Sequence, residues 1–312
     1  MTKKPLVFTS TNYEHMRSGL EGKPGIDLGN VVRKTFSDKE RHYQVMDDVA
    51  DRPVVLIGGT GSNDDLVDVL DMGFGISELR PSSLTIIVPY YGYSTQERAE
   101  KDGEFVTGRH RARMLSNISS RAHRTSVVLV DPHTPGLVSY FDQDHVSTYH
   151  LSCRKLLTQS IRESVEGRFS IGTTDLGRAK EAGKVADELG APLAIIHKSR
   201  HDIDKTKVLS VISDEPTNTV VVWDDMIRTG GSLKEAMKAY EARGYKHRLA
   251  YAVHGVFPGE SLKAMMDSRL FDGVVVTDSH PRAVQLAKEF PDFLRVIPMV
   301  PIIADYIVDR VR

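Results

Sequence analysis

The sequence predicts an α/β protein built from mainly parallel sheets flanked by helices. Short runs of β-prone apolar residues, such as Leu84–Tyr90 and Gly273–Thr277, alternate along the chain with amphipathic runs at helical spacing. This alternation is typical of parallel strands connected by covering helices. A length of 312 residues is enough for two such domains, each with its own core.

The first half of the chain opens with a predicted strand at Pro5–Ser10 and a polar stretch that contains glycines. Residues 31–45, VVRKTFSDKERHYQV, alternate locally and predict an extended hairpin that projects polar groups. A polar, charged loop is predicted at Tyr91–Phe105. The remaining predicted elements are strands at Val54–Gly59, Leu84–Tyr90 and Ser126–Val130, and helices at residues 63–75 and Val106–Ser120.

The second half repeats this rhythm, and we place the domain boundary at residue 150, giving domains 1–150 and 151–312. The charged segment His201–Lys207 is predicted as a loop because Ile203 is its one core-forming residue. The other predictions are helices at Leu151–Glu166 and Arg178–Leu189, strands at Phe169–Thr173, Leu193–His197, Thr219–Val222, Leu249–Val256, Gly273–Thr277 and Leu294–Pro298, a helix from Pro281 and a helical tail.

The composition is that of an ordinary globular protein. A formal net charge of −1 gives no overall field that would favour nucleic acid or a membrane surface. The single cysteine, Cys153, excludes an intramolecular disulfide framework and fits a reducing compartment. No signal peptide and no apolar run of membrane-spanning length is visible. We therefore expect a cytoplasmic protein.

Residues 219–232, TVVVWDDMIRTGGS, are the most informative stretch. A β-prone run leads into Asp224 and Asp225, a Gly230-Gly231 turn follows, and a helical pattern starts at Leu233. A glycine turn that opens a helix directs backbone N–H groups toward an anion. Paired carboxylates accept hydrogen bonds from sugar hydroxyls or hold hydrated Mg²⁺. The stretch predicts a sugar-phosphate site, although a strand with an Asp N-cap and a glycine turn would look similar.

Polar groups also follow two other predicted strands, where ligands of parallel sheets collect. Asp131 and His133 suit Mg²⁺ or phosphate, and a capped turn before Pro135 is the alternative. Asp175 and Gly177 stand at a strand-to-helix junction, where they form either a second anion or hydroxyl site or a simple N-cap.

Two further groups lie away from those strand ends. Lys198 and Arg200 begin the charged loop and could hold a polyphosphate during transfer, or could simply be solvated. On the hairpin, Phe36, Asp38 and Glu40 could hold a base. The alternative is a set of exposed hairpin side chains.

Taken together, the chain resembles the ribose-phosphate diphosphokinase (PRPP synthetase) family over almost its whole length. The glycine turn alone would indicate only the wider phosphoribosyltransferase superfamily, whereas DPHTPG, the hairpin and HKSR point to the narrower family. The matching segments, in order, are TFSDKE, NDDLVDVL, VPYYGYSTQER, DPHTPGLVSYFD, ADELGAPLAIIHKSR, WDDMIRTGGSL, AVHGVF and VVVTDS.

The resemblance implies two phosphoribosyltransferase-like domains, the first on the ATP side and the second on the ribose-phosphate side. It implies Mg²⁺-dependent transfer of the β,γ-diphosphate of ATP to the anomeric hydroxyl of ribose 5-phosphate, with release of AMP. It also implies a homo-oligomer built from dimers, with a hexamer as one possible size.

The resemblance further assigns roles to individual residues. It implies that Lys198, Arg200 and His133 are catalytic, and that Asp131, His133 and Asp175 contact the metal. It implies that the nucleotide is bound by Gln96, Glu97 and Arg98 and, from a neighbouring subunit, by Phe36, Asp38 and Glu40. The implied acceptor site consists of Asp175, Gly177, Arg178, Asp224, Asp225, Arg228, Thr229, Gly230, Gly231 and Ser232.

Two departures from the family pattern fall on the acceptor side. The usual D-D-x-x-D-T-G-G-T loop has Arg228 in place of its third acid, and the usual D-A-G-G loop has Arg178 in place of a glycine. Arginine binds phosphate bidentately, so an acceptor with more negative charge and bulk, such as ADP-ribose, is as well supported as ribose 5-phosphate. Alternatively, both arginines point to solvent or pair with acids.

The ATP side departs as well, because Thr95 replaces the arginine before Gln96 and Gly103-Glu104-Phe105 replaces an R-E/A-P segment. Nucleotide contacts could be remade by Arg98, Lys101 or Arg109.

Two other functions compete with diphosphate transfer. A phosphoribosyltransferase that consumes PRPP is disfavoured by the N-terminal domain and DPHTPG. An inactive regulatory subunit is disfavoured by the retained acids and cations.

Overall fold

The computed structural model describes residues 3–120, 125–202, 205–213, 215 and 217–311, without the side chains of residues 119–120 and 198–209. The chain forms two compact units. The first comprises the residues up to Ser152 and those from Pro298 onward, and the second comprises Cys153–Ile297. None of the helices in the described residues is long and apolar enough to cross a membrane.

The first unit is a six-stranded sheet in the order β2-β1-β5-β6-β7-β8, and all of its strand pairs are parallel. Its helices pack on the sheet over a continuous apolar core. The antiparallel hairpin predicted at residues 31–45 is confirmed as β3 and β4. The elements are β1 (Leu6–Thr9), α1 (Glu14–Leu20), β2 (Asp27–Leu28), β3 (Val31–Thr35), β4 (Arg41–Val45), β5 (Pro53–Ile57), α2 (Asn63–Glu78), β6 (Ser83–Val88), α3 (Thr107–Ser116), β7 (Thr125–Val130) and β8 (Val146–Leu151).

The second unit is a seven-stranded sheet in the order β11-β10-β9-β12-β13-β14-β15, parallel except for the pair β10 and β11. Together the two sheets confirm the predicted fold class. The elements are α4 (Arg154–Ser164), β9 (Phe169–Gly172), α5 (Ala179–Leu189), β10 (Leu193–Asp202), β11 (Lys205–Ser213), β12 (Thr219–Ile227), α6 (Gly231–Ala242), β13 (His247–Gly255), α7 (Ser261–Asp267), β14 (Gly273–Thr277), α8 (Pro281–Glu289) and β15 (Leu294–Ile297).

The last helix, α9 (Val300–Arg310), packs in the first unit although it ends the chain. It contacts α1, where a Cβ on Gly19 would come within 2.7 Å of a Val300 methyl group. The rings of Tyr306 and Tyr149 also lie 6.4 Å apart. The contact pattern therefore differs from the predicted division at residue 150, because the C-terminal tail returns to the first unit.

Two element predictions are wrong. The helix predicted at Leu151–Glu166 begins at Arg154, because β8 continues to Leu151. The loop predicted at His201–Lys207 is largely strand: β10 runs to Asp202 and β11 starts at Lys205, with residues 203 and 204 outside the described part. The strands β8 and β11 lie at the edges of their sheets, where polar residues are tolerated and the alternation of apolar residues is weak.

Tyr240 of α6 ties that helix to the centre of the second sheet. Its hydroxyl donates to the carbonyl oxygens of Thr173 and Ala194 at 2.9 and 2.8 Å, and accepts from the Thr173 N–H at 2.8 Å. The side chain is fully buried, which raises the pKa of the Tyr240 hydroxyl. The last turn of α6 is thereby tied to the ends of β9 and β10.

We predict that Tyr240→Phe lowers the free energy of unfolding by about 1–3 kcal/mol, because it leaves the buried Thr173 carbonyl oxygen without its hydroxyl donor. The Thr173 N–H and the Ala194 carbonyl oxygen still bond to each other at 3.1 Å. Tyr245→Phe is the matched control, since Tyr245 is also buried but its hydroxyl makes only 3.4 Å contacts with Ser170 and Ser213. Urea unfolding measures both variants. Equal losses for the two variants would contradict the anchoring role.

Candidate active site

The second sheet reverses its strand order between β9 and β12. From β9 the chain moves outward to β10 on one side, and β12 then lies on the other side of β9. Ligands of open α/β sheets bind at such a switch point, outside the carboxyl ends of the strands. Asp175 follows β9, and Asp224 and Asp225 stand near the end of β12. The topology thus brings together the acids predicted for the acceptor.

The turn after β12 has the geometry of an anion-binding loop. Gly230 has φ +71°, a left-handed conformation that glycine adopts without strain, and a Cβ there would come within 2.5 Å of the Met265 sulfur. Helix α6 starts at the next residue and runs for 12 residues. Thr229, Gly231 and Ser232 are exposed around its first turn. Free N–H groups and the positive end of the helix dipole therefore face solvent beside the Asp pair.

Arg178 bridges the two carboxylates of that pair. Its Nε lies 3.2 Å from Asp224 Oδ1, and its Nη2 lies 2.6 Å from Asp225 Oδ1. All three side chains are largely buried. Arg178 sits in the segment between β9 and α5, so its guanidinium reaches across the switch point. Arg178, which stands where the family has a glycine, therefore forms ion pairs with the two acids that are predicted to hold the ribose.

The second arginine behaves differently. Arg228 follows β12 directly, is exposed, and has no ion-pair or hydrogen-bond partner among the described residues. It stands next to Thr229 at the glycine turn. Of the two arginines, Arg178 therefore offsets part of the charge of the Asp pair, and Arg228 is available to an anion at the turn.

Asp175 serves as the cap of the helical turn that precedes α5. Its Oδ1 accepts a long hydrogen bond of 3.3 Å from the Arg178 N–H. A Cβ on Gly177 would lie 3.1 Å from the same oxygen, so glycine leaves room for the carboxylate. The N-cap alternative is thus realised, and its weak geometry leaves the carboxylate able to take part in hydroxyl or metal binding.

The pKa of Asp224 is raised to about 7, first by burial and then by the adjacent charge of Asp225, while Arg178 acts in the opposite direction. Its Oδ1 accepts from the Asp225 N–H at 2.9 Å, and Thr174 donates to Oδ2 at 3.4 Å. A carboxylate with a raised pKa is held in a site that needs a cation or hydrogen-bond donors for full ionisation. Arg178 supplies only part of that charge.

The first unit contains a separate cavity of about 540 Å³ lined by residues predicted to bind ATP. Gln96, Glu97, Arg98 and His133 are brought together there. The Tyr140 hydroxyl donates to the Glu97 carbonyl oxygen and fixes one wall. The rest of the lining is Thr95, Glu100, Glu104, Phe105 and Thr107, of which Glu100 and Thr107 were not predicted from the sequence.

Asp131 stands at the end of β7 in a left-handed conformation, with φ +32°. Its Oδ1 lies 2.9 Å from His150 Nε2. The described residues contain no group of three or more side chains that could hold a metal by themselves. Mg²⁺ needs few protein ligands, since it keeps waters and substrate phosphates, and it prefers oxygen. Asp131 and Asp175 fit such an ion, whereas the imidazole of His133 fits a phosphate contact better.

The tip of the β3–β4 hairpin carries the remaining nucleotide candidates. Phe36, Asp38 and Glu40 are exposed, and the Glu40 N–H donates to Asp38 Oδ1 at 3.1 Å. They are absent from the lining of the cavity around Gln96. The structure therefore does not bring them to the nucleotide cavity of their own chain.

Lys198 and Arg200 have their backbone in β10, but their side chains lie outside the described part of the structure. Their catalytic role stays a prediction. Glu104 and Phe105 belong to the departure from the family pattern at residues 103–105, and the structure places both in the lining of the cavity. The contact between Arg178 and the Asp pair is visible only in three dimensions, because the partners are separated by more than 40 positions.

We predict that ionisation of Asp224 lowers stability. Since the folded protein holds this proton more tightly than the unfolded chain, the free energy of unfolding falls as pH rises from about 4 to about 7, by at most about 1.4 kcal/mol per pH unit. Asp224→Asn removes that fall. Denaturant unfolding from pH 4 to 8 measures it, and Asp292→Asn, at an exposed position, is the control. A stability difference between wild type and Asp224→Asn that stays constant with pH would contradict the assignment.

Comparisons with known proteins identify the family of the chain. A family model for the N-terminal domain of ribose phosphate pyrophosphokinase matches residues 6–118, and a phosphoribosyl transferase domain model matches residues 179–267. A ribose-phosphate pyrophosphokinase of Gloeobacter violaceus is 31% identical over 286 residues, 91% of this chain and 83% of that protein. One from Aquifex aeolicus is 27% identical over 304 residues, 96% and 94% of the two chains.

Among solved structures, phosphoribosylpyrophosphate synthetase from Mycobacterium smegmatis matches with a TM-score of 0.84 and 26% identity over 98% of both chains. The resemblance inferred from the sequence motifs is thus confirmed, and so is the prediction of a diphosphotransferase enzyme. The chain belongs to the ribose-phosphate pyrophosphokinase family.

Proposed function

We propose that this protein transfers the β,γ-diphosphate of ATP to the anomeric hydroxyl of a ribose phosphate and releases AMP. The observation that carries the proposal is the buried Asp224–Asp225 pair beside the Gly230 turn, at the switch point of the second sheet. Carboxylates suit ribose hydroxyls, and the turn suits the 5-phosphate. The named relatives, which are ribose-phosphate pyrophosphokinases, support the same reaction.

The chemistry asks mainly for positioning and charge. The anomeric oxygen forms a bond to the β-phosphorus, the bond from that phosphorus to the oxygen it shares with the α-phosphate breaks, and AMP leaves with that oxygen. The hydroxyl proton passes to solvent. Asp224 and Asp225 orient the ribose, and the backbone N–H groups at the start of α6 hold the 5-phosphate. We assign the transferring phosphates to His133, Lys198 and Arg200.

Mg²⁺ fits this site because the available donors are carboxylate oxygens and substrate phosphates. Asp131 in the first unit and Asp175 in the second are the residues that would each hold such an ion, one on the ATP side and one on the acceptor side. When bound, the ion neutralises phosphate charge during transfer. We expect activity to be lost on chelation and restored by added Mg²⁺.

We further propose that the hairpin tip acts in a second copy of the chain. Phe36, Asp38 and Glu40 are exposed and do not line their own chain's nucleotide cavity, so a base contact requires a neighbour. Light scattering on the full chain tests this: a monomer at assay concentration would contradict it.

A larger acceptor, such as ADP-ribose, is a second candidate that the arginines specifically favour. With Arg178 on the Asp pair, ribose hydroxyls must compete with a guanidinium for both carboxylates. A diphosphate at the 5 position offers Arg178 a bidentate partner and so releases the pair to the ribose. The exposed Arg228 adds a second cation at the turn. Ribose 5-phosphate carries a single phosphate, which the Gly230 turn holds, so it offers Arg178 no second phosphate to bind.

The direct test incubates the full chain with ATP, Mg²⁺ and either ribose 5-phosphate or ADP-ribose, and measures AMP. We expect AMP only when an acceptor is present, and faster release with ADP-ribose. Release with ribose 5-phosphate alone would reject the larger acceptor. Failure to form AMP with either acceptor would reject the transferase and favour the inactive regulatory subunit.

We predict that Arg178→Gly and Arg228→Asp each shift acceptor preference toward ribose 5-phosphate by about tenfold in the ratio of kcat/KM values, because each removes one charged contact to the diphosphate. Arg243→Asp is the matched control, since Arg243 is exposed at the opposite end of α6. Steady-state AMP release measures the ratio. An unchanged preference in both variants would mean that the arginines do not select the acceptor.

A further inference from the structure

Phe105 has the highest exposure among the large hydrophobic side chains of the described residues, at 79%. It lies between the polar loop after β6 and the start of α3, and contributes to neither apolar core. A large apolar side chain left in water gains nothing for folding. Because its ring is exposed in the lining of a cavity, Phe105 is available to contact a ligand there.

The loop that presents Phe105 is well ordered by its own hydrogen bonds. The Glu104 carboxylate accepts from the N–H groups of Glu100 and Lys101 at 2.8 and 3.2 Å, and the Glu104 N–H donates to the Lys101 carbonyl at 3.2 Å. Gly103, with φ +85°, permits this turn. The backbone that leads into Phe105 is thus ordered by hydrogen bonds before any ligand binds.

Phe105 lines the cavity that also contains Gln96, Arg98 and His133. The other lining groups are polar or charged, and they include three glutamates beside Arg98, which lies 3.6 Å from one of them, Glu100. Phe105 is the one apolar ring of the lining. The nearby His110 ring, with its centroid 6.5 Å away, supports the phenyl ring from the side. The flat base of a nucleotide matches the phenyl ring, and the amide of Gln96 and the imidazole of His133 can donate hydrogen bonds to its phosphates.

We propose that Phe105 is the stacking platform for the base of the nucleotide donor within its own chain. This inference rests on the proposed function, since it concerns the ATP of that reaction. Stacking uses the face of the ring and not its edges, so Phe105 contributes affinity for any purine. Recognition of adenine in particular falls to polar groups, including those of the hairpin tip.

The test is calorimetric binding of AMP and of inorganic triphosphate to the full chain and to three variants. We expect Phe105→Ala and Phe105→Leu to weaken AMP binding about tenfold, because both lose the aromatic face, and Phe105→Trp to retain it. Triphosphate, which has no base, should bind all variants equally. Phe74→Ala is the control, because Phe74 is also exposed but lies on α2 away from the cavity.

Wild-type AMP affinity in Phe105→Ala or Phe105→Leu would overturn the inference, and so would an equal loss of AMP and triphosphate. Failure of the wild-type protein to bind AMP at all would instead count against the proposed function. Unfolding temperatures should stay unchanged in all variants, as expected for an exposed side chain.

Discussion

The acceptor side of this protein depends on one electrostatic constraint: two adjacent carboxylates, largely buried at the end of β12, need a countercharge. Burial and mutual repulsion raise the pKa of Asp224, and Arg178 relieves that strain in the protein alone. A bound acceptor must therefore replace the contacts between Arg178 and the Asp pair. Its hydroxyl groups can hydrogen-bond to the two carboxylates, or its phosphates can form an ion pair with the guanidinium. The choice of acceptor therefore depends on whether Arg178 stays on the Asp pair or binds the acceptor's phosphates.

The fold fixes this arrangement from several directions. Topology places Asp175 and the Asp pair at the ends of neighbouring strands, so Arg178 can reach the pair from the start of α5. The hydroxyl of Tyr240, in the last turn of α6, ties that helix to the ends of β9 and β10. The cavity of the first unit differs from this site, since it combines polar and charged side chains with one exposed aromatic ring, Phe105.

The sequence predicted what depends on local pattern. The β3–β4 hairpin and the strand, turn and helix around Gly230 were evident from residue spacing, and motif resemblance led to the family. Prediction failed at β8 and at the start of β11, because polar and charged residues interrupt the apolar pattern of these edge strands. The partner of Arg178 could not be predicted, since pairing with acids was one of several open alternatives and only tertiary structure brings Asp224 within 3.2 Å. The role of Phe105 was equally hidden in a loop without periodicity.

The most direct measurement is a crystal structure of the full chain with ADP-ribose bound. Our account predicts that the guanidinium of Arg178 leaves Asp224 and Asp225 for the acceptor's diphosphate, and that the ribose hydroxyls donate to the two carboxylates in its place. A complex in which Arg178 still bridges the pair, with the ribose bound elsewhere, would contradict the account.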